Sequence, residues 1–94
     1  MKKSMLDVMK TGRRYETEYF IFYLKQAENL KIGFRFSSDF GGAVVRNRIK
    51  RIIRNLIRQH FKTGDFVVRT KNVNKVPSPE EIVEEWNSIV RRIL

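Results

Sequence analysis

Between Arg46 and Arg58 the chain carries six cations and no carboxylate: Arg46, Arg48, Lys50, Arg51, Arg54 and Arg58. The apolar residues among them, Val45, Ile49, Ile52, Ile53, Leu56 and Ile57, recur at the spacing of one helical face. At about 100° per residue they fill an arc roughly 140° wide. Asn47, Lys50, Arg51, Arg54 and Arg58 lie opposite, with Arg46 and Arg48 at the two edges. One face suits a protein core and the other a polyanion. A solvated surface helix would mix signs to gain i,i+4 pairs. This one sets Lys50 against Arg54 and Arg54 against Arg58, and a binding function is the reason to keep that repulsion.

Ninety-four residues make one small domain, residues 1–94. A hydrophobic share of 41% with seven Phe indicates a folded globule. The net charge of +10 asks for a negative partner, either nucleic acid or an anionic membrane surface. A membrane helix would present its apolar face to lipid, whereas this one is needed to complete a small core, so nucleic acid is preferred. The absence of cysteine excludes disulfides and thiolate chemistry. No signal or membrane-spanning segment is legible, so a cytoplasmic protein without a membrane partner is expected.

The remaining patterns predict an α+β fold. Residues 4–10 have weak helical spacing up to Thr11-Gly12, and Arg13 to Glu16 reads as a short extended segment. Residues 17–25 and 30–37 read as strands, the second with Leu30, Ile32, Phe34 and Phe36 alternating with Lys31, Gly33, Arg35 and Ser37. Phe66 to Thr70 is a further strand, and 71–77 a polar loop. Ser78-Pro79-Glu80-Glu81 is a capping box with Pro at the first helical position. Ile82, Val83, Trp86, Ile89, Val90 and Ile93 form the stripe of the last helix.

Strand alternation sets Tyr19, Ile21, Tyr23 and Lys25 on one face, where they could share a surface with Lys31, Arg35 and Arg69. Aromatics interleaved with cations suit single-stranded nucleic acid. The alternative is that Tyr19 and Tyr23 lie beneath a helix with their hydroxyls reaching solvent. No catalytic set is apparent. His60 reads as a solvated surface residue, Glu80, Glu81, Glu84 and Glu85 as a helix-start cluster, and Gly41-Gly42 lacks the Lys-Ser/Thr of a P-loop. No catalytic or metal-binding residue is therefore assigned.

The run Gly41-Gly42-Ala43-Val44-Val45-Arg46-Asn47-Arg48-Ile49-Lys50-Arg51-Ile52-Ile53-Arg54 closely resembles the signature helix of the bacterial ribonuclease P protein subunit. Lys10-Thr11-Gly12, Tyr23, Lys31-Ile32-Gly33 and Gly64-Asp65-Phe66-Val67-Val68 follow in the order of that family. The resemblance implies a small two-layer α/β sandwich, a mixed sheet covered by helices, with a left-handed βαβ crossover against the usual rule. It implies a non-catalytic subunit in a 1:1 ribonucleoprotein with a large catalytic RNA. That RNA uses Mg²⁺ to cut the 5′ leader from precursor tRNA, and the protein itself binds no cofactor.

On that resemblance Arg46, Asn47, Arg48, Lys50, Arg51 and Arg54, with Arg58 beyond them, bind the large RNA. Tyr19, Tyr23, Lys25, Lys31 and Arg35, with Met5 and Met9, form the leader cleft, and Tyr23 is expected to be a stacking platform. The chain departs from the family at Ser38, Asp39 and Gly42, where two lysines and a capping Asn usually stand, and at Met5 and Met9, which replace aromatics. A general RNA- or DNA-binding module, for example ribosome-associated, is the broader alternative.

Overall fold

The computed structural model describes residues 3–71 and 75–94. The elements are α1 (Lys3–Thr11), β1 (Arg13–Glu16), β2 (Phe20–Lys25), β3 (Leu30–Arg35), α2 (Ala43–His60), β4 (Gly64–Thr70) and α3 (Pro79–Ile93). The four strands form one mixed sheet in the order β1-β2-β4-β3. β1 with β2 and β2 with β4 are antiparallel, whereas β3 and β4 are parallel and joined through α2. The part of the polar loop at 72–74 lies outside the described residues.

Helices α2 and α3 cover one face of the sheet. Ile49, Ile53 and Ile57 of α2 meet Ile82, Trp86 and Ile89 of α3 over Phe20, Phe22, Phe66 and Val68. The rings interlock at angles: Phe22 lies 5.7 Å from Trp86 at 53°. Helix α1 partly covers the second face, where Val8, Met5 and Met9 pack on Ile21, Tyr23 and Val67. Central strands β2 and β4 are therefore buried on both faces along Phe20–Tyr23 and Phe66–Val68, where both sets of side chains are apolar or aromatic, whereas Lys25, Asp65 and Arg69 lie toward the strand ends. Gly33 permits this second layer, because a Cβ there would sit 2.9 Å from Met5 Sδ.

Local chemistry explains where the elements begin and end. Ser78 Oγ accepts from the Glu81 N–H at 3.2 Å, and Glu81 Oε1 accepts from the Ser78 N–H at 3.0 Å, the reciprocal capping box of α3. Strand β2 starts at Phe20, later than residue 17, because Thr17 turns the chain. Its N–H donates to the Phe20 carbonyl at 2.9 Å, and its hydroxyl donates to Glu85 of α3. Strand β3 stops at Arg35, before residue 37, where the Ser37 N–H leaves the ladder for Thr70 Oγ1 at 3.0 Å. Val45 and Val83 are each 37% exposed, at the margins of the apolar stripes of α2 and α3.

Candidate nucleic-acid interface

The cations of α2 divide into three kinds. Arg46 is folded back: its Nη1 donates to the carbonyls of Gly41 (2.7 Å) and Ser38 (3.1 Å). Gly41 can present its carbonyl there because its φ is +75°, a region that disfavours side chains. Lys50 and Arg54 lie across β3, with Nζ 5.6 Å from the Phe36 ring and Cζ 5.4 Å from the Phe34 ring. Arg48, Arg51 and Arg58, together with Asn47, are exposed. None of the ion pairs among the described residues involves a cation of α2. Arg46 is thus a tie for the entry loop, and the surface open to a ligand is Asn47, Arg48, Arg51 and Arg58.

That surface begins at an uncapped helix end. Gly42 occupies the N-cap position with extended backbone (φ −76°, ψ 173°) and no side-chain hydrogen bond. Arg46 does not replace that cap, because it donates to carbonyls whereas a cap accepts from the first-turn N–H groups; its two bonds fix the entry loop instead. Beside the basic face, Val44 is 75% exposed.

The second face of the sheet carries the residues expected in a leader cleft, with one correction. Tyr19 does not belong there. It precedes β2 and turns into the main core, 2% exposed, with its hydroxyl donating to Glu81 Oε2 at 3.0 Å. Burial, and that bond to Glu81, push the Tyr19 phenol up. The period-two assignment failed because residues 17–19 are a turn, where strand alternation does not apply.

Tyr23 does lie on the second face, beneath Met5 and Met9, but it is only 6% exposed. Its hydroxyl meets the Arg14 guanidinium, which also pairs with Glu16 at 2.9 Å. A base cannot stack on Tyr23 in this arrangement, so the expected platform is instead the floor under α1. The alternative of a tyrosine beneath a helix describes it better. Lys25 is paired with Asp7 of α1, whereas Lys31 is exposed on β3. Arg35 lies beyond the rows that α1 covers, next to Arg69 of β4 in the parallel register.

Sequence reading missed two contacts at the foot of α2. His60 is exposed, yet its Nδ1 receives the Trp86 Nε1–H at 3.2 Å, and the rings sit 5.8 Å apart. Nδ1 also lies 3.0 Å from the Leu56 carbonyl, but a nitrogen that accepts from Trp86 has no proton to give. The buried indole N–H decides the matter, since it must have an acceptor. His60 thereby holds α2 to α3. The acids at the start of α3 are similarly committed. Glu81 serves the cap and Tyr19, and Glu85 accepts from Thr17 and from the Tyr19 N–H at 3.3 Å. Among the described residues no group of three or more His, Cys, Asp or Glu side chains comes together as a metal site. No helix of the described residues is long and apolar enough to cross a membrane.

Known proteins resemble this chain in sequence and in fold. The family model described as Ribonuclease P matches residues 2–94. The ribonuclease P protein component of Nitratiruptor sp. is 32% identical over 95 aligned residues, covering 98% of this chain and 87% of that protein. The component from Dictyoglomus thermophilum is 43% identical over 61 residues, a match spanning 63% of this chain and 51% of its own length. The structure of the Staphylococcus aureus RNase P protein superposes with a TM-score of 0.80 at 22% identity, covering 99% of this chain and 92% of that one. With a family model over nearly the whole sequence and a relative above 30% identity along it, the chain belongs to the ribonuclease P protein family.

Proposed function

We propose that this protein is the non-catalytic, RNA-binding subunit of a ribonuclease P ribonucleoprotein, and that α2 docks it on the large RNA. The observation that carries this reading is the exposed set Asn47, Arg48, Arg51 and Arg58, which has no carboxylate partner among the described residues. Phosphates supply the missing negative charge, and guanidinium forks match their geometry. Asn47 adds a donor and an acceptor that a purely electrostatic helix would not need. Membership of the family favours this over a general nucleic-acid-binding module.

The chemistry belongs to the RNA partner, whose bound Mg²⁺ supplies the activated water and stabilises the leaving oxygen. The protein contributes position. The second sheet face, with Met5, Met9, Lys25 and Lys31 above Tyr23, receives the single-stranded leader of precursor tRNA. Met side chains give polarisable contact there, and Lys31 an ionic one.

Reconstitution with the large RNA tests this reading. Complex, but not RNA-free protein with Mg²⁺, should cut precursor tRNA at the mature 5′ end. Cleavage by the protein alone would overturn the non-catalytic assignment. Lys31→Ala should weaken leader-bearing substrate several-fold and leave mature tRNA unchanged, and an equal effect on both would remove the leader assignment.

A further inference from the structure

Where the α1–β1, β2–β3 and α2–β4 connections meet, a groove of about 400 Å³ opens at the foot of α2. Its floor is apolar, formed by Leu24, Ala27 and Phe61, and its rim carries Arg13, Gln26 and Thr63, all exposed. That size and that mixture suit a small planar group with polar edges. Among the described residues no carboxylate lines the groove. Lys25 at its rim is paired with Asp7, whereas Arg13 enters no ion pair among the described residues.

The aromatic rings single out this groove. Tyr15, Phe34, Phe36 and Phe61 are half-buried. Arg92 lies over Tyr15, Arg54 over Phe34 and Lys50 over Phe36, so those three rings are already capped by cations. Among the described residues no cation lies over Phe61. Its ring is held at an angle by Phe66 at 5.0 Å and by Trp86 at 6.1 Å, so its orientation is fixed before anything binds. Core packing explains those two contacts but not the acid-free polar rim around the groove. A fixed aromatic beside polar edges is how proteins hold an unstacked base. The groove is also continuous with the basic helix: Phe61 is the C-cap of α2, Lys62 next to it is exposed, and Arg58 stands about one turn earlier. An RNA lying along the exposed face of α2 reaches the groove at the end of that helix, which selects the large RNA over the leader.

We propose that this groove takes a single unstacked nucleobase of the large RNA, with Phe61 as its stacking platform, Gln26 and Thr63 at the base edge, and Arg13 on the adjoining phosphodiester. The Gln26 amide and the Thr63 hydroxyl each offer a donor and an acceptor to that edge, and the Arg13 fork matches phosphate oxygens. This rests on the reading of α2 as the docking helix and adds a base contact to an interface built mainly of cations.

The test uses the full chain and the large RNA, with affinity measured against salt. Phe61→Leu keeps apolar bulk but removes the ring, and should weaken binding about tenfold with the log–log salt slope unchanged. Phe61→Tyr retains a ring and should bind like the parent. Arg13→Ala should weaken binding several-fold and lower the slope by about one unit, whereas Gln26→Ala should weaken it at constant slope. Arg13 and Gln26 are exposed, so their variants carry the test independently of how Phe61 packs, and equal melting temperatures verify each fold. The chain has no cysteine, so Glu28→Cys, exposed next to Ala27, gives a unique anchor for an iron chelate that cuts nearby RNA by hydroxyl radical. Cuts confined to an unpaired segment of the large RNA support the proposal. Cuts in its helices alone, in precursor tRNA alone, or nowhere overturn it. If the Arg13, Gln26 and Phe61→Leu variants match the parent while Arg51→Ala weakens binding, the groove is refuted and the α2 interface stands. If Arg51→Ala is also silent, the α2 reading falls with it.

Discussion

Arg46 and Arg51 share one helix and one charge but have different roles. Arg46 donates to two loop carbonyls, and Arg51 is exposed with no ion pair among the described residues. Arg46→Ala should therefore destabilise the free protein by about 1 kcal/mol in urea titration, and its RNA effect should follow from the loosened loop. Arg48→Ala should leave stability nearly unchanged and reduce the salt slope of RNA binding by about one unit. At this scale the sequence located the cations but not their commitments. Helical periodicity places Arg46 at the edge of the apolar arc, yet the carbonyls it reaches depend on how Gly41 turns. The same limit hid His60. A lone histidine at a helix end reads as solvated, and only the packing of α2 on α3 brings the Trp86 indole to it. His60→Ala should leave that buried N–H unpaired and cost about 1–3 kcal/mol, measured by chemical unfolding.

Among the elements, α3 was the most legible, because Ser78 to Glu81 encode a cap whose partners lie within one turn. That cap predicts a pH dependence. The Ser78 N–H first, then the Tyr19 hydroxyl and Lys75, hold the Glu81 carboxyl at about 2 against an ordinary 4.5. A depressed carboxyl stabilises the fold fully above its unfolded value, and that stabilisation is lost as the pH falls from 4.5 toward about 2. Comparison of the parent with Glu81→Gln should give a stability difference that is constant at neutral pH and shrinks across that acid window. Glu85 behaves oppositely: burial pushes its carboxyl up, so its ionised form costs stability as the pH rises. Glu85→Gln keeps an acceptor for Thr17 and should be neutral or stabilising near pH 7. Strand β2 was harder to bound, since its true start depends on Thr17 meeting Glu85, a contact between residues far apart in the chain. That missed boundary is what put Tyr19 on the wrong face.

The whole molecule separates a core, built by three helices on two sheet faces, from a charge distribution that its own acids do not balance. Fold class followed from periodicity, whereas the burial of Tyr23 did not, because α1 carries a weak pattern and docks through the gap at Gly33. The imbalance has a measurable consequence. On α2, Arg51 is flanked at i−3 and i+3 by Arg48 and Arg54, and like charges at such spacing cost about 0.2–0.5 kcal/mol per pair. Arg51→Ala relieves both contacts and substitutes the best helix former. The free variant should therefore be as stable as the parent, or more stable by up to about 1 kcal/mol. Its RNA affinity should fall all the same. Opposite signs in the two assays are the signature of a residue kept for binding at the expense of the free fold. Adding RNA should then raise the melting temperature of the parent more than that of the variant, because a ligand stabilises by its affinity for the native state alone. Loss of both stability and affinity in Arg51→Ala would instead make Arg51 a structural residue of α2 and leave the docking face without its central cation.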